Sequence, residues 1–208
     1  MALVIGFDLD MTLIDSRAGV RTAMAALVAE TGAPIDPDVV AERLGPPLEV
    51  ELAAWVPADR IDALADRYRE LYAEVGIPGT LALPGAADAL RAVRAIPARA
   101  LVVTAKYEPN AWSCLEHTHL EVDDVVGWRH GPQKGETLAE HGATIYVGDT
   151  PPDMDAAHRA GATAVAVPSG PFSADELHAA GADVVLGSLL ELPAWLTANV
   201  RPEGTRAG

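Results

Sequence analysis

The sequence predicts an α/β protein built on a doubly wound parallel sheet, interrupted after its first strand by a long helical insertion. Three observations predict it. Short apolar runs rich in Val, Ile and Leu recur at Leu3 to Leu9, Ala100 to Thr104, Ala143 to Val147 and Thr163 to Val167, a pattern that suits strands buried on both faces. Helical patterns separate the later runs, giving the strand–helix alternation of a parallel sheet. Finally, no convincing strand lies between Leu9 and Ala100, although a strand–helix–strand unit needs only about 30 residues.

Taken in order, Leu3 to Leu9 is the first strand. Ser16 then stands as the cap of a helix reaching Glu30 and Thr31, and Asp36 to Leu44 and Leu48 to Trp55 read as two short helices. Ala58 to Val75 is a longer amphipathic helix with Ile61, Leu64, Ala65, Tyr68, Leu71 and Tyr72 along one stripe. These helices form the insertion, bounded near Asp15 and Leu83, so residues 16–82 are expected as one unit and residues 1–15 with 83–200 as the other. Pro84 precedes a helix over Ala86 to Ala95. Asp123 to Val126 and Asp183 to Leu186 are two further strands, and Gly135 to His141 is a helix. Pro152 opens another helix that stops at Gly161, with proline at the start and glycine at the end. The tail from Arg201 to Gly208 is polar and expected to fray.

A chain of 208 residues is long enough for one sizeable core with a satellite unit. Its formal net charge of -15 repels nucleic acid and anionic membrane surfaces, and its arginines are scattered rather than gathered in a basic patch. Cys114 is the only cysteine, which rules out an intrachain disulfide and reads as a small buried apolar residue in a reducing compartment. The N-terminal apolar run has no basic flank and is interrupted by acids, unlike a signal peptide, and no stretch has the length of a membrane span. A cytoplasmic location is the expectation.

The sharpest chemical feature is Asp8-Leu9-Asp10-Met11-Thr12, where the first strand gives out. The carboxyl ends of strands form the ligand crevice of such sheets. Two carboxylates two residues apart suit divided labour, one ionised as nucleophile and metal ligand, the other protonated as an acid. A lone pair of this kind recurs by chance and also serves metal–nucleotide sites in glycosyltransferases. Gly148-Asp149-Thr150-Pro151-Pro152-Asp153 follows another apolar run. Asp149 there suits an oxygen-rich Mg²⁺ site, while Asp153 or Asp155 equally suits the cap of the next helix. The chain has 13 arginines but only two lysines, Lys106 just past a strand and Lys134 in the loop ahead of a helix. An ammonium in such a place matches a phosphate oxygen or neutralises carboxylates. Thr104 supplies a hydroxyl at a strand end.

In order and spacing, Asp8-x-Asp10-x-Thr12, Thr104, Lys134 and Gly148-Asp149-x-x-x-Asp153 resemble the four motifs of the haloacid dehalogenase superfamily. The insertion resembles the helical cap of its phosphoglycolate-phosphatase-like branch, over a Rossmann-like core. The resemblance implies a phosphatase in which Asp8 forms an aspartyl-phosphate while Asp10 protonates the leaving oxygen and later activates water. Thr104 and Lys134 would bind the phosphoryl oxygens. Asp8, the Asp10 carbonyl and Asp149 would hold Mg²⁺, with Asp153 in support. Asp10 itself argues against a dehalogenase, whose departing halide needs no proton donor. Ala105 stands where relatives often carry Asn, and His130-Gly131-Pro132-Gln133 lacks the Lys-Pro pairing of phosphoglycolate phosphatases, so that substrate is not assigned.

Thr12, Lys106 and Arg43 are the candidate substrate contacts. Arg43 lies in the turn Arg43-Leu44-Gly45-Pro46-Pro47-Leu48, which resembles a substrate-contacting cap loop, and would take a distal anionic group. Arg17, Arg129 and His130 lie close enough in sequence to be weighed beside it. The expected partner is a small phosphate ester, handled by a monomer or homodimer. Two alternatives stand beside hydrolysis. A sugar-phosphate mutase shares the core chemistry, and a phosphoacceptor or binding module such as a receiver domain shares the Asp, Thr and Lys. A receiver is shorter, has no insertion and carries its Asp on a later strand.

Overall fold

The computed structural model describes residues 3–200; the expected frayed tail, Arg201 to Gly208, lies outside them. Six strands form one parallel sheet: β1 (Leu3–Phe7), β4 (Ala98–Val103), β5 (Asp124–Val126), β6 (Ala143–Gly148), β7 (Thr163–Ala166) and β8 (Val184–Val185). Their spatial order is β5-β4-β1-β6-β7-β8. The order reverses around β1, so the sheet is doubly wound with β1 at its centre.

Alternation along each strand sends side chains to two separate cores. Ile5, Phe7, Val102, Ile145 and Val147 pack on one face under α5 (Ala86–Arg94), α6 (Glu108–His117) and α10 (Leu192–Asn199). Val4, Leu101, Val103 and Ala164 pack on the other under α7 (Pro132–Glu140), α8 (Pro151–Arg159) and α9 (Ala174–Ala179). Both faces are dry, which is why the strands read as unbroken apolar runs.

The insertion comprises α1 (Arg17–Thr31), α2 (Pro37–Glu42), α3 (Leu48–Leu52) and α4 (Ala58–Leu71), then a π-helical turn at Tyr72–Gly76 and a 3-10 turn at Ile77–Gly79. Together they form a helical cap. At its two ends the chain makes β2 (Ile14–Asp15) and β3 (Leu81–Ala82), a two-stranded antiparallel ribbon that the sequence pattern did not reveal. Leu64, Ala65, Tyr68, Leu71 and Tyr72 of the expected stripe are buried, with Ile61 at its margin. The helix expected to run to Val75 widens at Tyr72, and a π turn of this kind re-aims one side chain. Here that side chain is the Tyr72 ring, which lies over the Lys106 ammonium at 4.3 Å.

Two corrections concern helix starts. Ser16 occupies the cap position of α1, but its side chain makes no capping bond and instead donates to Asp10. Lys134 does not precede its helix: α7 begins at Pro132, two residues earlier in the chain. Cys114 is buried, as expected, beside the Tyr72 hydroxyl.

The π turn packs directly on α1, and Gly19 makes that approach possible. A Cβ on Gly19 would collide with the Gly76 carbonyl oxygen and lie 3.1 Å from its carbon. Both obstacles are backbone and cannot rotate away. Gly19→Ala is therefore expected to destabilise the chain by about 1–3 kcal/mol, read as a lower urea midpoint at an unchanged slope. A midpoint equal to wild type would show that the turn yields freely.

Candidate active site

The three central strands end at one edge of the sheet, and each delivers a functional side chain there. Asp8 follows β1, Thr104 follows β4 and Asp149 follows β6. The Asp8 amide still donates to the Val147 carbonyl at 2.9 Å, so its backbone is tied to the neighbouring strand. Beyond it the chain folds back sharply. The Leu9 carbonyl accepts from the amides of Thr12, Leu13 and Ile14, and Met11 takes the left-handed conformation, φ 63°. The turn brings Thr12 under the site, where its hydroxyl donates to Asp149 Oδ1 at 2.8 Å.

Lys134 reaches in from the first turn of α7. Its ammonium donates to Asp8 Oδ1 at 2.9 Å and to Asp153 Oδ1 at 2.7 Å. The Tyr146 hydroxyl, bonded mainly to the Val103 carbonyl at 2.9 Å, also faces Asp153 Oδ1 at 3.3 Å. Asp153 Oδ2 accepts from the Thr150 amide and hydroxyl, at 3.1 and 2.6 Å. Asp153 is thus fully buried and fully engaged, closing the start of α8 while holding the lysine. Carboxylate oxygens of Asp8, Asp149 and Asp153 lie within 4.8 Å of one another. Since every oxygen of Asp153 has a partner, Asp8 and Asp149 are the donors left for an ion. Gly170 backs this arrangement: a Cβ there would collide with Asp149 Oδ2.

Burial pushes the Asp8 carboxyl up to about 7, with Asp153 and Asp10 adding to the rise and Lys134 opposing it. Burial pushes Asp149 up to about 8, aided by Asp8 and Asp153 and opposed by Thr12 and Lys134. Burial alone would strip the proton from Lys134, but Asp153 and Asp8 outweigh it and hold the ammonium well above its ordinary range. One fixed positive charge therefore faces a surplus of buried negative charge.

Asp10 and Lys106 form a second pair. The Lys106 ammonium lies 3.0 and 3.3 Å from the two Asp10 oxygens, and Ser16 donates to the first of them. Burial disfavours the Lys106 charge, but Asp10 and the Tyr72 ring overcome it and its pKa stands well above the usual value. The Thr104 hydroxyl accepts the Lys106 amide at 3.1 Å, which leaves its own hydrogen for a ligand.

A cavity of about 540 Å³ opens between this edge and the cap, lined by Asp8, Asp10, Thr104, Lys106, Lys134 and Asp149. The expected residues therefore converge, with two differences in placement. Thr12, expected against substrate, is fully buried and touches Asp149. Arg43, expected to await a distal anion, lines the cavity with its guanidinium 3.9 Å from Glu51. Arg17 is tied to Asp15 at 2.6 Å, Arg129 donates to Thr137 at 3.1 Å, and His130 lines the cavity. Sequence reasoning missed Ser16, Tyr146 and Glu51. A tyrosine inside a fully buried strand was the available signal for Tyr146, because a buried phenol needs a partner.

The crowded carboxylates set the pH dependence of stability when divalent ions are chelated. Unfolded, Asp8 and Asp149 lose their protons near 3.8; folded, they hold them to about 7 and about 8. Between those values the unfolded chain binds fewer protons, so stability falls as pH rises. In EDTA the unfolding temperature is expected to drop between about pH 5 and about pH 8, and Asp149→Asn should flatten that slope. A profile that rises over this window would show that the carboxylates are ionised in the fold.

Known proteins share this architecture. Residues 5–128 match the family model for haloacid dehalogenase-like hydrolases, and residues 130–192 match a second model of HAD-hydrolase-like proteins. A probable phosphatase, IndB, from Dickeya dadantii is 28% identical over 206 residues, covering 89% of this chain and 90% of the relative. A phosphoglycolate phosphatase from Chromobacterium violaceum is 29% identical over 215 residues, covering 90% of this chain and 93% of that one. Among solved structures, a haloacid dehalogenase-like hydrolase from Streptococcus pneumoniae superposes with a TM-score of 0.79 at 25% identity, covering 93% of this chain and 98% of its own. The motif order, the strand ends that gather it and these matches agree, and this chain belongs to the haloacid dehalogenase-like hydrolase family.

Proposed function

We propose that the protein is a Mg²⁺-dependent phosphatase that hydrolyses a small phosphomonoester through an aspartyl-phosphate on Asp8. The observation that carries this reading is the gathering of Asp8, Asp149 and Asp153 at the sheet edge, their carboxylate oxygens within 4.8 Å of one another and Lys134 bonded to two of them. Hard carboxylate oxygens short of positive charge fit Mg²⁺ in their donor chemistry. Asp8, Asp149 and the Asp10 carbonyl would hold the ion, which when bound supplies positive charge to the phosphoryl oxygens.

In this reading Lys134 and Thr104 orient the phosphoryl group, and an Asp8 oxygen attacks phosphorus in line with the leaving oxygen. Asp10 starts out paired with Lys106 and Ser16. In this reading Asp10 turns to the ester oxygen and gives a proton to the departing alkoxide. The same carboxylate then takes a proton from water, the water attacks phosphorus, the bond to Asp8 breaks and phosphate leaves. Thr12 and Asp153 act one layer back, holding Asp149 and Lys134.

Residues 16–82 act as the cap and residues 1–15 with 83–200 as the core, joined at the β2–β3 ribbon, so that the cap excludes water from the acyl phosphate. The largely apolar lining beyond the phosphate end supports hydrolysis over return of the phosphoryl group to a hydroxyl-rich sugar. The net charge of -15 and the lone Cys114 support a cytoplasmic monomer or homodimer that engages neither nucleic acid nor membrane. Among the described residues no helix is long and apolar enough to cross a membrane.

Phosphate release from p-nitrophenyl phosphate and small phosphomonoesters, with Mg²⁺ or EDTA, tests the proposal. Turnover is expected only with Mg²⁺, and Asp8→Asn should lower kcat by at least about a thousandfold. Equal turnover in EDTA, or an active Asp8→Asn variant, would sink it.

A further inference from the structure

The cavity carries information about the part of the ester that leaves. Only ten residues of the chain are aromatic, yet five of them, Tyr68, Tyr72, Tyr107, Trp128 and Phe172, line this one space. Leu44, Pro46 and Leu48 add an aliphatic wall. A concave site so lined gains most from a flat apolar guest, because rings contribute stacking beyond the area they cover.

The charges point the same way. Beyond Lys134, each cation that lines the cavity has a carboxylate partner. Arg43 faces Glu51 at 3.9 Å, Arg69 is held by Glu49 and by Asp66 at 2.8 Å, and Lys106 lies 3.0 Å from Asp10. Away from the phosphate end, Glu42, Glu49 and Glu51 line the space beside Arg43 and Arg69. A second anionic group at this end would meet acids, and arginines that already face carboxylates.

Trp128 is the most telling residue. It takes the left-handed conformation, φ 54°, where bulky side chains are outliers. Its amide donates to the Lys106 carbonyl at 3.0 Å, and the residue remains 53% exposed. The ring is braced by Tyr107, with centroids 5.0 Å apart and planes tilted by 37°, and by the Arg69 guanidinium at 5.3 Å. A half-exposed tryptophan held in a strained backbone conformation at the cavity wall offers apolar surface to a guest.

We propose that the substrate is a phosphomonoester whose alcohol portion is an uncharged aromatic group, with Trp128 as a specificity-determining residue and the Arg43–Glu51 pair excluding distal anions. This inference rests on the phosphatase reading and narrows its substrate class.

The test compares esters that all leave as primary alkoxides, so that ring and charge vary while the chemistry does not. Benzyl phosphate, 1-naphthylmethyl phosphate, ethyl phosphate and 2-phosphoglycolate are turned over by wild type, Trp128→Ala and Glu51→Gln with Mg²⁺. Wild type is expected to favour the naphthylmethyl ester over phosphoglycolate by at least about thirtyfold in kcat/KM, chiefly through KM. Trp128→Ala should lower the naphthylmethyl-to-ethyl ratio about fivefold or more. Glu51→Gln, which unpairs Arg43, should raise kcat/KM for phosphoglycolate several-fold. Calorimetric titration with benzylphosphonate and phosphonoacetate, neither of which can be hydrolysed as an ester, provides the second arm. Tighter binding of benzylphosphonate supports the aromatic class even where no ester is turned over, a result that would overturn only the phosphatase reading. Phosphoglycolate processed or phosphonoacetate bound better than the benzyl compound would overturn the inference, as would a Trp128→Ala variant that slows every ester equally.

Discussion

The ammonium of Lys134, set between Asp8 and Asp153, is the interaction on which the rest of the site depends. It is buried, it comes from α7 on one face of the sheet, and it reaches a carboxylate at the end of β1 and another at the start of α8. Three elements distant in sequence are locked in place by one charge. Without it, Asp8 and Asp153 would repel each other in a dry interior, a situation that costs several kcal/mol when one partner of a buried pair is lost. Its second carboxylate has all its remaining oxygen valence taken by Thr150 and Tyr146, so the lysine cannot migrate toward Asp153 at the expense of Asp8. Asp8 is steadied through Oδ1, and its second oxygen is left for other partners.

The same logic of paired charge extends outward in layers. Lys106 is steadied by Asp10 on one side and the Tyr72 ring on the other, and Arg69 by two acids and two rings. The cap helices thereby contribute electrostatic partners as well as a roof. The π turn at Tyr72 is the local irregularity that brings the ring over Lys106, and the close approach of Gly19 to Gly76 is the packing that allows it. A backbone departure in the cap is connected through two contacts, Tyr72 to Lys106 and Lys106 to Asp10, to a carboxylate beyond the end of the first strand.

Much of this was legible in the sequence because it is local. Strands buried on both faces announce themselves as unbroken apolar runs, and Asp8, Thr104 and Asp149 each come directly after such a strand. Asp8, Thr104 and Asp149 meet because neighbouring strands of a parallel sheet end at the same edge, and Lys134 joins them from the first turn of α7. What escaped depends on tertiary pairing. Ser16 reads as a helix cap because its type and position fit one, yet a carboxylate six residues earlier outcompetes the backbone for its hydroxyl. The start of α7 was read too late, although proline after glycine at Gly131-Pro132 is a standard opening. Arg43 looked free because Glu51 is eight residues away across a turn. The strands β2 and β3 have two residues each, too few for any period to show.

That short ribbon has a consequence for how such a protein changes over time. Ile14 pairs with Ala82 and Asp15 with Leu81, so the chain leaves the sheet domain and returns to it side by side. An insertion whose ends stand one strand spacing apart, about 5 Å, can be lengthened, shortened or exchanged without stretching the scaffold beneath it. The sheet edge and the helices above it can thus change separately, and a lineage can try new roofs over an unaltered strand edge.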